Sequence, residues 1–207
     1  MRTPLLITLS CLAFSPALAI GDATGDFIST YTGPQNPDVD VVSATVGSDG
    51  TDYIFSTTMA GDIGATTGAL YVWGFNRGQG TARFSPGIPG TEDILFDSVV
   101  VMRPDTTLTV NRIFEGGSTN FGAGTVTISG ATMTARVAKS ELPNQGFAFD
   151  KYTWNLWPRV GSGNNNQISD FAPDHTNAPV EIVPEPFSMM ALVGGLTALA
   201  RRRRASR

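Results

Sequence analysis

The stretch TDYIFSTTM, residues 51–59, sets Tyr53, Phe55, Thr57 and Met59 on one side and Ile54, Ser56 and Thr58 on the other. A period of two is the mark of a β-strand with one face on a core. Residues 38–46 precede it, and Ser48, Asp49 and Gly50 between the two form a hairpin turn signal. Working outward, GALYVWGFN at 68–76 alternates again, with Tyr71, Trp73 and Phe75 on one face and Leu70 and Val72 on the other. Residues 77–80 turn the chain into a strand over 81–85. After a Pro and Gly loop at 86–90, residues 94–102 are apolar on both faces, which predicts a central strand. Arg103, Pro104 and Asp105 end it, and 106–114 returns as its partner. Residues 124–129 and 132–138 read as a hairpin about Gly130, and 152–157 as a further strand. Eight or nine short strands at this spacing predict an all-β fold, an antiparallel two-sheet β-sandwich of jelly-roll-like kind, with a closed barrel as the competing architecture. This domain is expected over 20–170. Residues 171–182, punctuated by Pro and carrying the sole histidine, His175, are expected to be an extended linker.

The start of the chain reads differently. Arg2, an apolar run over 5–14, Pro16 and the small-x-small triplet Ala17, Leu18, Ala19 form a secretory signal peptide over 1–19, with Ala17 and Ala19 as the cleavage residues. The one cysteine, Cys11, falls inside it. The exported body therefore has no disulfide or thiolate metal site, and its stability must come from a hydrophobic core.

The formal net charge of −4 hides an asymmetry. Residues 20–182 hold eight of the 14 cationic side chains and 17 of the 18 acidic ones. Such a body repels phosphate backbones, so no nucleic-acid partner is expected, and it suits a solvated surface protein or one that collects cations.

At the other end, Val183, Pro184, Glu185 and Pro186 are followed by an apolar run over 187–200 and by Arg201, Arg202, Arg203 and Arg204. These three parts, in this order over 183–207, resemble the PEP-CTERM sorting signal of Gram-negative bacteria. The resemblance implies export through the general secretory machinery and recognition by an exosortase, a membrane transpeptidase-like enzyme. It also implies an inner-membrane intermediate with the body in the periplasm, then delivery to the cell surface or extracellular matrix. The prolines withhold backbone donors and keep the motif extended around Glu185. The apolar run enters the bilayer as a short transmembrane helix, and the arginines act as a cytoplasmic stop signal. Membrane contact is thus through the tail, before processing. The run has 14 residues, against about 20 for an unaided helical span, so it reads as a transient stop-transfer segment.

For the body, there is no Gly-x-Ser-x-Gly elbow, His-Glu-x-x-His pair or phosphate-cradling loop, and no enzyme activity is expected. A hydrolytic carboxylate pair would have to come from Glu92, Glu115 and Glu141. Asp22 and Asp26 at the mature start, with Asp38 and Asp40 ahead of the first strand, are hard oxygen ligands of the kind Ca²⁺ collects, although no cofactor is required by the sequence. Among the aromatics, Trp157 beside Pro158 is expected at an exposed strand end, where with Tyr152 it could stack on sugar rings. The role expected is structural or adhesive. A carbohydrate-binding module of the exopolysaccharide matrix is the competing reading, and a secreted hydrolase the third.

Overall fold

The computed structural model describes residues 19–183. The signal peptide before Ala19, the motif residues Pro184, Glu185 and Pro186, the apolar run and Arg201 to Arg204 lie outside the described residues. Among those described, the chain is all-β, with only short 3-10 turns for helix, and no helix is long and apolar enough to cross a membrane.

The strands are β1 (Ile20–Gly21), β2 (Val41–Ser48), β3 (Asp52–Met59), β4 (Ala69–Asn76), β5 (Ser98–Met102), β6 (Leu108–Arg112), β7 (Ser118–Phe121), β8 (Val126–Ser129), β9 (Thr132–Ala138), β10 (Thr153–Val160), β11 (Ala178–Pro179) and β12 (Glu181–Ile182). They form two six-stranded sheets. The first runs β1-β2-β3-β9-β8 with β12 also on β2, and the second runs β11-β10-β4-β5-β6-β7. Every pair is antiparallel except β12 on β2.

The alternation that predicts β3 and β4 also dictates how the sheets meet. Tyr53 and Phe55 of β3 face Phe75 of β4 at ring-centroid distances of 5.6 and 5.5 Å. Trp73 packs edge-on against Phe55 and tilts against Trp154, both at 5.3 Å. Such pairs add roughly 0.5–1.5 kcal/mol each beyond the area they bury. The other face of β4, Leu70 and Val72, is covered as well. Residues 81–97 fold back over it, bringing Phe84 and Phe96 onto Trp157 and, with Ile88 and Ile94, forming a second apolar cluster. The second sheet is therefore covered on both faces around Val72 and Trp157, while farther along β4 and β5 its outer face borders an open groove.

Four expectations are corrected. Residues 81–85 do not form a strand; only Thr81 bridges, to Phe96. Regular pairing in 94–102 begins at Ser98. β10 does not stop at Trp157 but continues through Pro158, whose Cα pairs with Tyr71, to Val160. Residues 171–182 are not a free linker: Ala172, Ala178 and Val180 are buried, β11 extends the second sheet and β12 the first.

One end of the sandwich is organised by a buried ion pair. Arg77 and Asp97, both fully buried, meet at 2.7 Å through Nε and Oδ1. The same guanidinium donates to Glu115 at 2.6 and 2.7 Å and to the Pro143 carbonyl at 2.9 Å. The Arg77 carbonyl accepts from Gln145 and Phe147, and the Asp97 carbonyl from Ile113 and Phe114. Three connections, after β4, β6 and β9, are thereby pinned to one charge. Replacing Arg77 by Met leaves Asp97 buried without its partner, which costs about 3–5 kcal/mol. Thermal denaturation is expected to show a melting temperature lower by roughly 10 °C, with part of the loss recovered in Arg77→Met/Asp97→Leu. A single variant as stable as the unmodified protein would contradict this role.

Candidate functional site

The foot of β2 gathers five aspartates. Asp26, Asp40 and Asp170 offer carboxylate oxygens within 4.8 Å of one another, and so do Asp22, Asp26 and Asp174, the two sets sharing Asp26. About 4.8 Å is also the separation of two oxygens on opposite sides of one Ca²⁺ at 2.4 Å. Local geometry explains how they come together. The register of β2 against β3 shifts between Val41 and Ser43, a β-bulge that leaves the Val41 N–H free to donate to Asp170 Oδ2 at 2.8 Å. Asp170 Oδ1 accepts from the Phe171 N–H at 2.7 Å. Beside the bulge, β1 pairs with β2, and the Asp22 N–H donates to the Val42 carbonyl. The turn from Asp22 to Asp26 places Gly25 at φ 82, a conformation favouring glycine, and its N–H donates to Asp40 Oδ2 at 2.8 Å.

Asp40 and Asp170 are only 4% and 1% exposed. Asp40 Oδ1 and Asp22 Oδ2 are buried oxygens with no hydrogen-bond partner. None of the five aspartates forms an ion pair with any Lys, Arg or His among the described residues. Burial, reinforced by the Asp22 charge, pushes the Asp170 carboxyl up to about 8. Burial and then the neighbouring Asp174 and Asp26 push Asp22 up to about 7. Asp40 is raised too, by burial first and by Asp26. Buried, unpaired and mutually repelling oxygens are what a divalent cation would relieve.

Three of the four expected metal ligands, Asp22, Asp26 and Asp40, thus lie together. Asp38 does not join them. It is buried elsewhere, accepting from the Thr66 N–H at 2.7 Å and from the Thr66 hydroxyl, so it fastens the loop after β3. Sequence reading missed Asp170 and Asp174, which reach the site only through the packing of 168–174 against β2 and β10.

The expected sugar-binding pair is not a surface. Trp157 is 2% exposed, its ring lying over Gly74, where any Cβ would strike it. Phe84 and Phe96 enclose it at 4.9 and 4.8 Å. Tyr152 is fully buried on the other side of β10, stacked on Tyr53 at 5.8 Å. Next to Trp157, however, the outer face of the second sheet forms a groove of about 530 Å³ with a floor of Leu70, Val72, Val99 and Val101 and with Arg103 and Arg159 at its rim. Arg103 donates to Thr109, and Arg159 to Gly161, Asn164 and Gln167, all neutral acceptors. Neither forms an ion pair among the described residues. Of the acidic candidates for hydrolysis, Glu115 is held by Arg77 and Glu141 by Arg112 at 3.1 Å. His175 is exposed, with Nδ1 3.1 Å from the Gly90 carbonyl.

No family model matches this chain, and comparison with curated proteins and with solved structures gives no match.

The raised carboxyls set a sign for pH dependence. Between the unfolded carboxylate range and about 7–8, the folded state holds more protons at Asp22 and Asp170 than the unfolded state does. Stability of the metal-free protein therefore falls as pH rises from 5 to 8. Asp49, Asp105 and Glu115, whose values are lowered, act only below this window. At pH 8, Ca²⁺ at about 100 times its dissociation constant is expected to add about 2.7 kcal/mol, or roughly 5–10 °C, with a smaller effect at pH 5. Asp38→Asn should lower the melting temperature yet keep the calcium response. Identical melting at pH 8 with Ca²⁺ and with chelator would exclude the cation.

Proposed function

We propose that this chain is an exported bacterial surface protein, cleaved after Ala19 and sorted by an exosortase through Val183, Pro184, Glu185 and Pro186. Its jelly-roll-like sandwich is delivered to the cell surface or the extracellular matrix in a structural or adhesive role. Ca²⁺ at Asp22, Asp26, Asp40, Asp170 and Asp174 would hold the mature N-terminus to the body once it meets the ion outside the cell.

The observation that carries this reading is the way both ends of the described chain fasten to β2. β1 lies against Ser43 and Ala44, and β12 against Gly47 and Ser48. Among the described residues the last hydrogen bond along the chain, from the Val183 N–H to the Ser48 carbonyl at 2.8 Å, comes one residue before Pro184. A motif following directly from a fixed strand is offered to an enzyme cleft at low conformational cost, and both prolines favour the extended form.

The groove on the second sheet favours a carbohydrate-binding role as the second reading. Its apolar floor suits the C–H faces of sugar rings. Arg103 and Arg159, in no ion pair among the described residues of an otherwise acidic body, suit an acidic polysaccharide.

A C-terminally tagged protein is expected to lose mass at that end only in cells that carry an exosortase. Identical processing in a strain lacking the enzyme would overturn the sorting assignment. For the second reading, a uronate-containing polysaccharide should shift tryptophan emission through Trp157 and lose at least about tenfold in affinity in Arg103→Ala/Arg159→Ala, as two lost charge-assisted contacts imply. An unchanged spectrum at saturating polysaccharide would dismiss it.

A further inference from the structure

The five large apolar side chains exposed among the described residues are Ile113, Phe114, Phe147, Phe149 and Ile182. They are far apart in sequence but belong to one end of the sandwich. Ile113 and Phe114 follow β6 and donate to the Asp97 carbonyl just before β5, and Phe147 donates to the Arg77 carbonyl just after β4. Phe149 precedes β10, and its carbonyl accepts from the Tyr53 hydroxyl at the start of β3. Ile182 pairs with Ser48 at the end of β2. The Tyr53 ring, within 5.6 Å of Phe75 and 5.8 Å of Tyr152, ties these strand ends of the two sheets together.

Two further features distinguish this end. The carboxylates on its loops stand in ion pairs: Glu115 with Arg77, Glu141 with Arg112, Asp150 with Lys151, and Asp49 and Asp52 with Arg136. The Lys139 ammonium lies over the Phe149 ring, 5.8 Å from its centroid. The unpaired aspartates, by contrast, stand at the foot of β2, a strand of eight residues that spans about 25 Å. This is also the end from which the chain departs. Between Val183 and the apolar run that begins at Phe187 stand only Pro184, Glu185 and Pro186. Four residue steps reach about 14 Å at full extension, and the headgroup layer occupies roughly 5–7 Å of that.

We propose that this end of the sandwich rests on the bilayer surface while the tail is in the membrane, with Ile113, Phe114, Phe147, Phe149 and Ile182 among the headgroups. The proposal builds on the reading that the run after Pro186 enters the bilayer. The tether is too short to hold the body clear of the lipid, and the exposed apolar and aromatic residues meet the interface that such residues prefer. Arg77 and Asp97 hold the loops of Ile113, Phe114 and Phe147, Tyr53 holds Phe149 and β2 holds Ile182, so the five form a fixed face, and the acidic foot of β2 points away from anionic lipid. The body is thereby oriented with its cation site toward the outside during processing.

The full chain carrying Cys11→Ser, with single cysteines for a fluorescent label, tests this in vesicles of phosphatidylcholine and phosphatidylglycerol containing bromolipid quencher. Labels in Phe114→Cys, Phe149→Cys and Leu192→Cys are expected to lose emission. Labels in Ala65→Cys and Ala123→Cys, on the opposite loops, are expected to keep it. If Leu192→Cys is quenched but Phe114→Cys and Phe149→Cys behave like the opposite loops, the resting face is wrong while the tail reading stands. An unquenched Leu192→Cys overturns both. Pyrene excimer emission from Phe114→Cys without lipid quenching assigns the face to a second copy and equally overturns the proposal.

Discussion

Five carboxyl groups at the foot of β2, with no cationic side chain paired to them among the described residues, are the constraint on which the attachment of β1 and of residues 168–174 depends. Asp40 and Asp170 lie inside the body, and their bonds to the Gly25 and Val41 N–H groups position the mature N-terminus and the bulged start of β2. Asp22, Asp26 and Asp174 crowd the same space from less buried positions. Ionising all of them costs desolvation and mutual repulsion together, and keeping them protonated requires the raised values seen for Asp22 and Asp170. A divalent cation bound there would change the sign of that balance. With the ion that we propose, the same groups that would loosen β1 and 168–174 in its absence would fix them.

The rest of the body does not share this sensitivity. Its core comes from two aromatic strand faces pressed together, and its other end is held by Arg77, whose charge is answered by Asp97 and Glu115. The molecule is therefore polarised along β2. One end exposes apolar side chains among ion-paired carboxylates and lies next to Val183, and the other is acidic, without ion pairs among the described residues. A protein handed from membrane to exterior, as we propose, would encounter bilayer at the first end and ions at the second. The proposed sorting and the proposed cation clasp fit that order.

Much of this was legible in the residues. The period of two in 51–59 and 68–76 predicts β3 and β4 and the faces they turn inward, because the pleat leaves no other place for Tyr53, Phe55, Trp73 and Phe75. The loop aspartates Asp22, Asp26 and Asp40 stand out near the first long strand. What topology adds was not legible. Asp170 lies 129 positions from its partner Val41, and no local pattern marks that meeting. Asp38 differs from Asp40 only in that Thr66 is there to receive it. Trp157 looked like an exposed strand end because Pro158 follows it. The strand continues past that proline, and glycine at position 74 leaves room for the indole beneath residues 81–97. β7 is mostly polar and half exposed, so it offers no periodicity to read. The Pro-punctuated 171–182 resembles a linker in composition, yet Ala178 and Val180 turn inward and its two short strands seal opposite sheets.

Calorimetric titration of Ca²⁺ into the metal-free protein at pH 7.5, repeated in buffers of different ionisation enthalpy, tests the cation clasp most directly. Saturable binding is expected, accompanied by proton release, because Asp22 and Asp170 hold protons near that pH that the ion must displace. Asp40→Asn should abolish the heat. Absence of saturable binding, or binding that Asp40→Asn leaves intact, would contradict the account.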